Sequence, residues 1–129
     1  MPKTTRRALL ATAPLLAAPR LLHAQDAYPS RAMRFLVPVA AGGSADLQAR
    51  LVAQRRAERW GQPVVVENRP GANGIVAAQA FLQTPPDGHT IFASPAGPLT
   101  VNQFLYRRLP YDPAELAWIG MISASANFS

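Results

Sequence analysis

Val37-Pro38-Val39-Ala40-Ala41-Gly42-Gly43-Ser44-Ala45-Asp46 is the stretch that decides the fold. Phe35, Leu36, Val37 and Val39 are strand formers. Gly42 and Gly43 supply a turn, since glycine takes positive φ at little steric cost and lets a ligand approach the backbone. Ser44 is a good N-cap and Asp46 falls in the first turn of the helix that follows. The segment therefore predicts a strand, a glycine turn and a helix start whose free N–H groups suit an anion. The plainer reading is an ordinary strand-to-helix connection.

Working outward, Met33 to Val39 is the first predicted strand. It is largely apolar on both faces, which suits a buried parallel strand better than a half-exposed antiparallel one. The first helix runs from Ser44 to Trp60. Leu47, Leu51 and Val52 start its apolar stripe, which Ala45, Ala49 and Trp60 extend, and Gly61 stops it. Arg56 lies between Val52 and Trp60 and is expected to snorkel past Trp60 to water. A second strand covers Pro63 to Glu67, and a second helix runs from about Gly74 to Gln83. A third strand covers Thr90 to Ala93, a short helical segment Val101 to Tyr106, and a fourth strand-like run Leu116 to Ile122. Trp60, Phe81 and Trp118 are expected in the core. The alternation of strand and helix predicts an α/β fold with a mainly parallel sheet flanked by helices. Ligands of such sheets bind beyond the carboxyl ends of the strands. Three small-residue loops fall there: Ala40 to Ser44, Asn68 to Asn73, and Ser94 to Pro98.

Size and composition limit the function. At 129 residues the chain is one domain or less. The net charge of +6 suggests a nucleic-acid binder, but Lys3, Arg6, Arg7 and Arg20 all lie in the first 24 residues. Beyond them nine arginines face seven acids, a balance of +2, so no nucleic-acid partner is expected. The sequence has no cysteine, which excludes disulfides, thiol catalysis and cysteine metal sites. Met1 to Ala24 has a basic start, an apolar run at Ala8 to Ala18 and small Ala24 at a plausible cleavage point, the pattern of an export signal. Thr5-Arg6-Arg7-Ala8-Leu9-Leu10 resembles a twin-arginine signal. The apolar run is short of the roughly 20 residues a membrane span needs. Residues 1–24 are thus expected to be a signal and 25–129 the mature chain.

Chemistry narrows further by what is missing. No lysine follows Gly43, so the loop is not a P-loop. Adjacent Gly42 and Gly43 do not make a dinucleotide fingerprint. Ser44 and Ser94 are conceivable nucleophiles, yet neither sits in a G-x-S-x-G elbow. His89 is the only histidine after residue 24 and lies in a turn, where a surface role is expected. No metal site or cofactor is expected. Asp46 would repel a carboxylate at its own helix start, which favours a structural role for its charge. Gly71-Ala72-Asn73-Gly74 has no nearby acid except Glu67 and is the better seat for an anion. Arg69 either adds positive charge there or pairs with Glu67.

With these loops in view, the sequence resembles the substrate-binding proteins of tripartite tricarboxylate transporters, the Bug-type receptors. The segments that carry the resemblance are Tyr28-Pro29-Ser30-Arg31, Val37 to Asp46, Gly61 to Gly74, Pro86-Asp87-Gly88-His89-Thr90, and Leu109-Pro110-Tyr111-Asp112-Pro113. The resemblance implies an exported, periplasmic, two-lobed α/β receptor for small carboxylates or related compounds. It implies partners in the membrane components of the transporter, a monomer at full length, and no enzyme activity. By the family's pattern Ala41, Gly42, Gly43, Ser44 and Asp46 form a first ligand loop. Gly71, Ala72, Asn73 and Gly74 form a second, and Ser94 begins a third. Arg56 departs from the pattern, standing where such receptors carry an apolar residue. The family is also much longer, so residues 25–129 are expected to be an incomplete, periplasmic-binding-protein-like first lobe. The alternatives are a serine hydrolase using Ser44 or Ser94 with His89, and a truncated remnant without function.

Overall fold

The computed structural model describes residues 28–124, so the expected signal at residues 1–24 lies outside the described residues. Its centre is β1, Met33–Val37, whose apolar side chains are almost all removed from water. β2 (Val64–Asn68) pairs with one edge of β1 and β3 (Thr90–Phe92) with the other, both parallel, in the order β2-β1-β3. The register sets Phe35 opposite Val66 and Ile91, and Leu36 opposite Glu67 and Phe92. Both connections are crossovers through helices, α1 (Ser44–Trp60) and α2 (Ile75–Leu82).

Strand side chains alternate between faces, and the two faces build two cores. Phe35 and Val37 pack with Val64, Val66, Ile91 and Ala93 against Ala49 and Ala53 of α1. On the other face Phe92 joins Ile75, Ala78 and Leu82 of α2, and Tyr111, Leu109 and Leu116 of the later chain. Phe81 stacks on Phe92 with ring centroids 5.6 Å apart. Fully burying a large apolar side chain contributes about 1.5–3 kcal/mol, so β1 is the segment whose loss the fold tolerates least.

α1 has the bounds expected from its sequence, and its end follows the expected logic: Gly61 adopts φ 65° and donates its N–H to Ala57 O at 3.0 Å. Its start differs. Gly43, not Ser44, is the cap residue, and no side chain caps the helix. Gly43 has extended φ of −70°, so only Gly42, at φ 87°, uses the left-handed freedom that both glycines offer. The buried stripe differs in part, since Ala49 is buried and Val52 packs against the core as expected. Asp46, Ala49 and Ala53 face the sheet, while Leu47 and Leu51 are exposed. Small side chains let the helix lie close to β1 and β2, and that proximity turns the leucines away. The Arg56 guanidinium sits 5.5 Å from the Trp60 ring centre, as a side chain passing over the indole to water would.

The fourth strand is not formed. Leu116 to Ile122 carries no ladder, and Trp118, expected in the core, is 67% exposed with Ile119 and Met121 beside it. A strand needs a neighbour to satisfy its backbone, and β3 is not bonded to this segment. After β3 a wide helical turn at Gly97–Val101 leads into α3 (Asn102–Leu105). No helix among the described residues is long and apolar enough to cross a membrane.

Candidate functional site

α1 leaves β1 toward one neighbour and α2 returns past it to the other, so strand order reverses at β1. The crevice expected at such a switch point is present as a cavity of about 260 Å³. Pro38 and Val39 line it from the loop after β1, Gly71 to Gly74 from the loop after β2, and Pro95, Gly97 and Pro98 from the loop after β3. The three loops meet closely at Gly74. A Cβ there would lie 2.3 Å from Pro98 Cγ and 3.2 Å from Pro38 Cβ, so only glycine fits.

Of the ten candidate ligand residues, Gly71, Ala72, Asn73 and Gly74 line the cavity. Their backbone runs through four successive positive φ values, 136°, 44°, 51° and 82°. Gly74 N–H closes the turn onto Gly71 O at 2.9 Å, and Ile75 N–H onto Ala72 O. Ala41, Gly42, Gly43 and Ser44 are exposed at the carboxyl end of β1 but do not line the cavity. Ser94 is partly buried after β3, and its hydroxyl donates to Pro95 O at 2.9 Å.

Asp46 is placed behind the first loop, 1% exposed. Its carboxylate accepts from Gly42 N–H at 2.8 Å, Arg50 Nε at 3.0 Å and Asn68 Nδ2 at 2.8 Å. Asn68 also donates to Val39 O at 3.1 Å and accepts from Arg50 Nη2 at 2.9 Å. The Arg50 hydrogen bond, then those from Gly42 and Asn68, hold the Asp46 carboxyl down at about 2. The carboxylate is spent inside the protein, tying the first loop to α1 and to the end of β2.

Arg69 donates to Glu67 at 2.7 Å, and Arg34 reaches the same carboxylate at 3.3 Å. The Arg69 bond is the main cause holding Glu67 below its usual range. His89 is not the free surface residue expected. It is largely buried, edge-on to Tyr28 at 5.4 Å, and its Nε2 has no hydrogen-bond partner among the described residues. The residues around it pin the entering chain, with Tyr28 OH donating to Gly88 O and Arg31 pairing with Asp87. His89 lies at the amino end of β3, where its carbonyl accepts from Arg34 N–H at 2.8 Å. Ser94 lies beyond the other end. Five extended residues span about 16 Å, far beyond the roughly 3 Å over which a histidine could activate a serine. Ser44 is likewise at the carboxyl end of the sheet.

Two residues that the sequence did not single out shape the site. Asn68 is the hinge of the Asp46 network. Asn102, fully buried in α3, exchanges hydrogen bonds with Asn73: Asn73 Nδ2 donates to Asn102 Oδ1 at 2.8 Å, and Asn102 Nδ2 donates to Asn73 O at 3.1 Å. Tyr111 OH, beside it, donates to Pro98 O at 2.6 Å, and burial pushes this phenol above its usual range. Single asparagines in V-N-Q and E-N-R contexts carry no local signal of such roles. Among the described residues no group of three or more acids or histidines could hold a metal ion.

Residues 48–127 match the tripartite tricarboxylate transporter family receptor, TctC. The chain is 45% identical over 102 residues to a UPF0065 protein of Bordetella pertussis, a stretch that is 79% of this chain and 31% of that protein. It is 40% identical over 91 residues to protein BugT of the same organism, covering 70% and 28%. Among solved structures, Rpa4515 of R. palustris with adipate aligns at a TM-score of 0.64 and 39% identity, over 67% of this chain and 29% of that one. MatC of Rhodopseudomonas palustris with bound malate aligns at 0.53 and 35%, over 67% and 29%. The chain thus spans about a third of the length of the curated relatives it matches. The parallel sheet with its helices fits part of an α/β lobe of the kind found in periplasmic binding proteins.

Proposed function

Because this chain belongs to the tripartite tricarboxylate transporter receptor family, we propose that residues 28–124 form one wall of the ligand cleft of a periplasmic solute-binding receptor. The ligand is a small carboxylate, and the partners are the membrane components of a tripartite transporter, to which the receptor delivers it. The observation that carries this reading is the turn Gly71 to Gly74. It presents backbone and a neutral Asn73 to the cavity at the start of α2, with no carboxylate among the residues that line it. Ala41 to Ser44 and Ser94 stand outside the cavity on the neighbouring loops and extend the same wall, and Asp46 acts from behind by fixing Gly42. The adipate and malate held by the two R. palustris proteins belong to the chemical class this wall suits. Residues 1–24 act as the export signal, cleaved near Ala24, and no catalytic step is assigned to the chain.

One wall binds weakly. A helix start contributes roughly 0.3–1 kcal/mol to an anion, against about 4.1 kcal/mol for millimolar affinity. The test is amide NMR of the purified chain with tens of millimolar adipate or malate and chloride as the control. Shifts confined to the amides of Gly71 to Gly74, Gly97 and the first loop are expected. Shifts elsewhere only, or none beyond chloride, would overturn the reading of this wall.

A further inference from the structure

We propose that Asn102 is a positioning residue for the cleft: without touching the ligand, it holds the second loop in a left-handed form the loop does not favour alone. Ala72 and Asn73 adopt φ of 44° and 51°, a region that costs an L-residue free energy and that alanine rarely occupies. Within the turn, only the two tight backbone bonds at Gly74 and Ile75 oppose that cost. The long-range restraint is the amide of Asn102, 29 positions away, which bonds both the side chain and the carbonyl of Asn73.

The fit is specific to an amide. Aspartate at 102 would keep the acceptor but lose the donor to Asn73 O, and leucine would fill the space with neither. Asn102 is fully buried and does not line the cavity, whereas Asn73 is exposed and lines it. Gly97 and Pro98, just before Asn102 in the chain, line the facing wall. One buried amide therefore sets both the shape of the second loop and its distance from the third. The ligand arm of the test below rests on the function proposed above, and the exchange arm does not.

The test is hydrogen exchange, residue by residue, on the chain and three variants. In Asn102→Leu the amides of Gly74 and Ile75 are expected to exchange at least tenfold faster, since each lost amide bond is worth roughly fivefold to tenfold in an equilibrium. The amide of Gly61, bonded to Ala57 O at the far end of α1, should change less than about twofold, because its local opening leaves the Asn73–Asn102 pair intact. Adding Ala72→Gly to Asn102→Leu removes the penalty that Asn102 opposes, so protection at Gly74 should recover by at least threefold. Asn73→Asp, which keeps a side chain tolerant of the left-handed region but loses the donor to Asn102 Oδ1, should show the same pattern more weakly even where Asn102→Leu fails to fold. Unchanged exchange at Gly74 and Ile75, equal acceleration at Gly61, or no recovery with Ala72→Gly would overturn the proposal. Adipate shifts at Gly71 to Gly74 should weaken about tenfold in Asn102→Leu. Should the parent chain show no adipate shifts, the proposed function fails while the exchange result still decides the role of Asn102.

Discussion

Gly74→Ala is the substitution on which the description of the cleft can be tested most sharply. Two costs are expected. Gly74 has φ of 82°, and an L-residue in that region costs about 1–2 kcal/mol. The new methyl would also lie 2.3 Å from Pro98 Cγ, on a ring that cannot swing aside. Forcing an extra carbon into a closed contact costs about 1–3 kcal/mol, which brings the total to about 2–5 kcal/mol. Gly42→Ala is the matched control. Gly42 has nearly the same φ, 87°, but a Cβ there meets nothing within 4 Å, so only the first cost of about 1–2 kcal/mol applies. Urea unfolding of both variants, with m checked for constancy, gives the two values. Pro98→Ala removes the opposing ring, and combined with Gly74→Ala it should recover about 1–3 kcal/mol as a coupling between contacting sites. The double variant also keeps the test alive if the single one does not fold. Equal destabilisation by Gly42→Ala and Gly74→Ala, or no coupling to Pro98, would refute the claim that the three loops close on one another at this point.

Two further expectations concern acid and the late chain. The Asp46 carboxyl titrates at about 2 in the folded protein against an ordinary value of 3.8, so its stabilisation is complete above that ordinary value and is lost as pH falls toward 2. The Tm gap between the parent chain and Asp46→Asn should be constant from neutral pH to about pH 4 and then close toward pH 2, and a gap unchanged down to pH 2 would contradict the assignment. Trp118→Ser with Ile119→Ser should change unfolding free energy by less than about 0.5 kcal/mol while reducing dye binding and light scattering, because both side chains are exposed; a large loss of stability would show that the segment is packed.

What the sequence made legible was local. The cap glycine at 61, the strand expected at 33–39 and formed at 33–37, and the loops at the ends of strands each depend on neighbours within a few residues. The face of α1 was legible only in part: Ala49 and Val52 were found on it, but Leu47 and Leu51 mark an apolar stripe as well as Ala53 does, and only the distance to the sheet chooses between them. The apolar run at 116–122 has the length and residues of a strand, but a ladder requires a partner, and composition cannot supply one. Asp46 was legible as structural from the sign of its charge. Its partner Asn68 and the Asn73–Asn102 pair were not, since their meaning arises from contacts 22 and 29 positions apart.

The placement of β1 between two parallel partners has a kinetic consequence. No hairpin exists among the described strands to reward the chain early. The β1–β2 ladder joins Met33 to Val64 and the β1–β3 ladder joins Arg34 to Thr90, separations of 31 and 56 positions. Loop-closure entropy makes the longer connection costlier by about 0.5 kcal/mol, and it forms a shorter ladder. The β1–α1–β2 unit is therefore the natural nucleus, with β3 docking onto the free edge of β1 afterwards. Substitutions at Phe35 or Val66 should slow refolding, whereas those at Phe92 should mainly speed unfolding. With most strand contacts non-local, refolding belongs to the millisecond-to-second range rather than the microseconds of helical bundles.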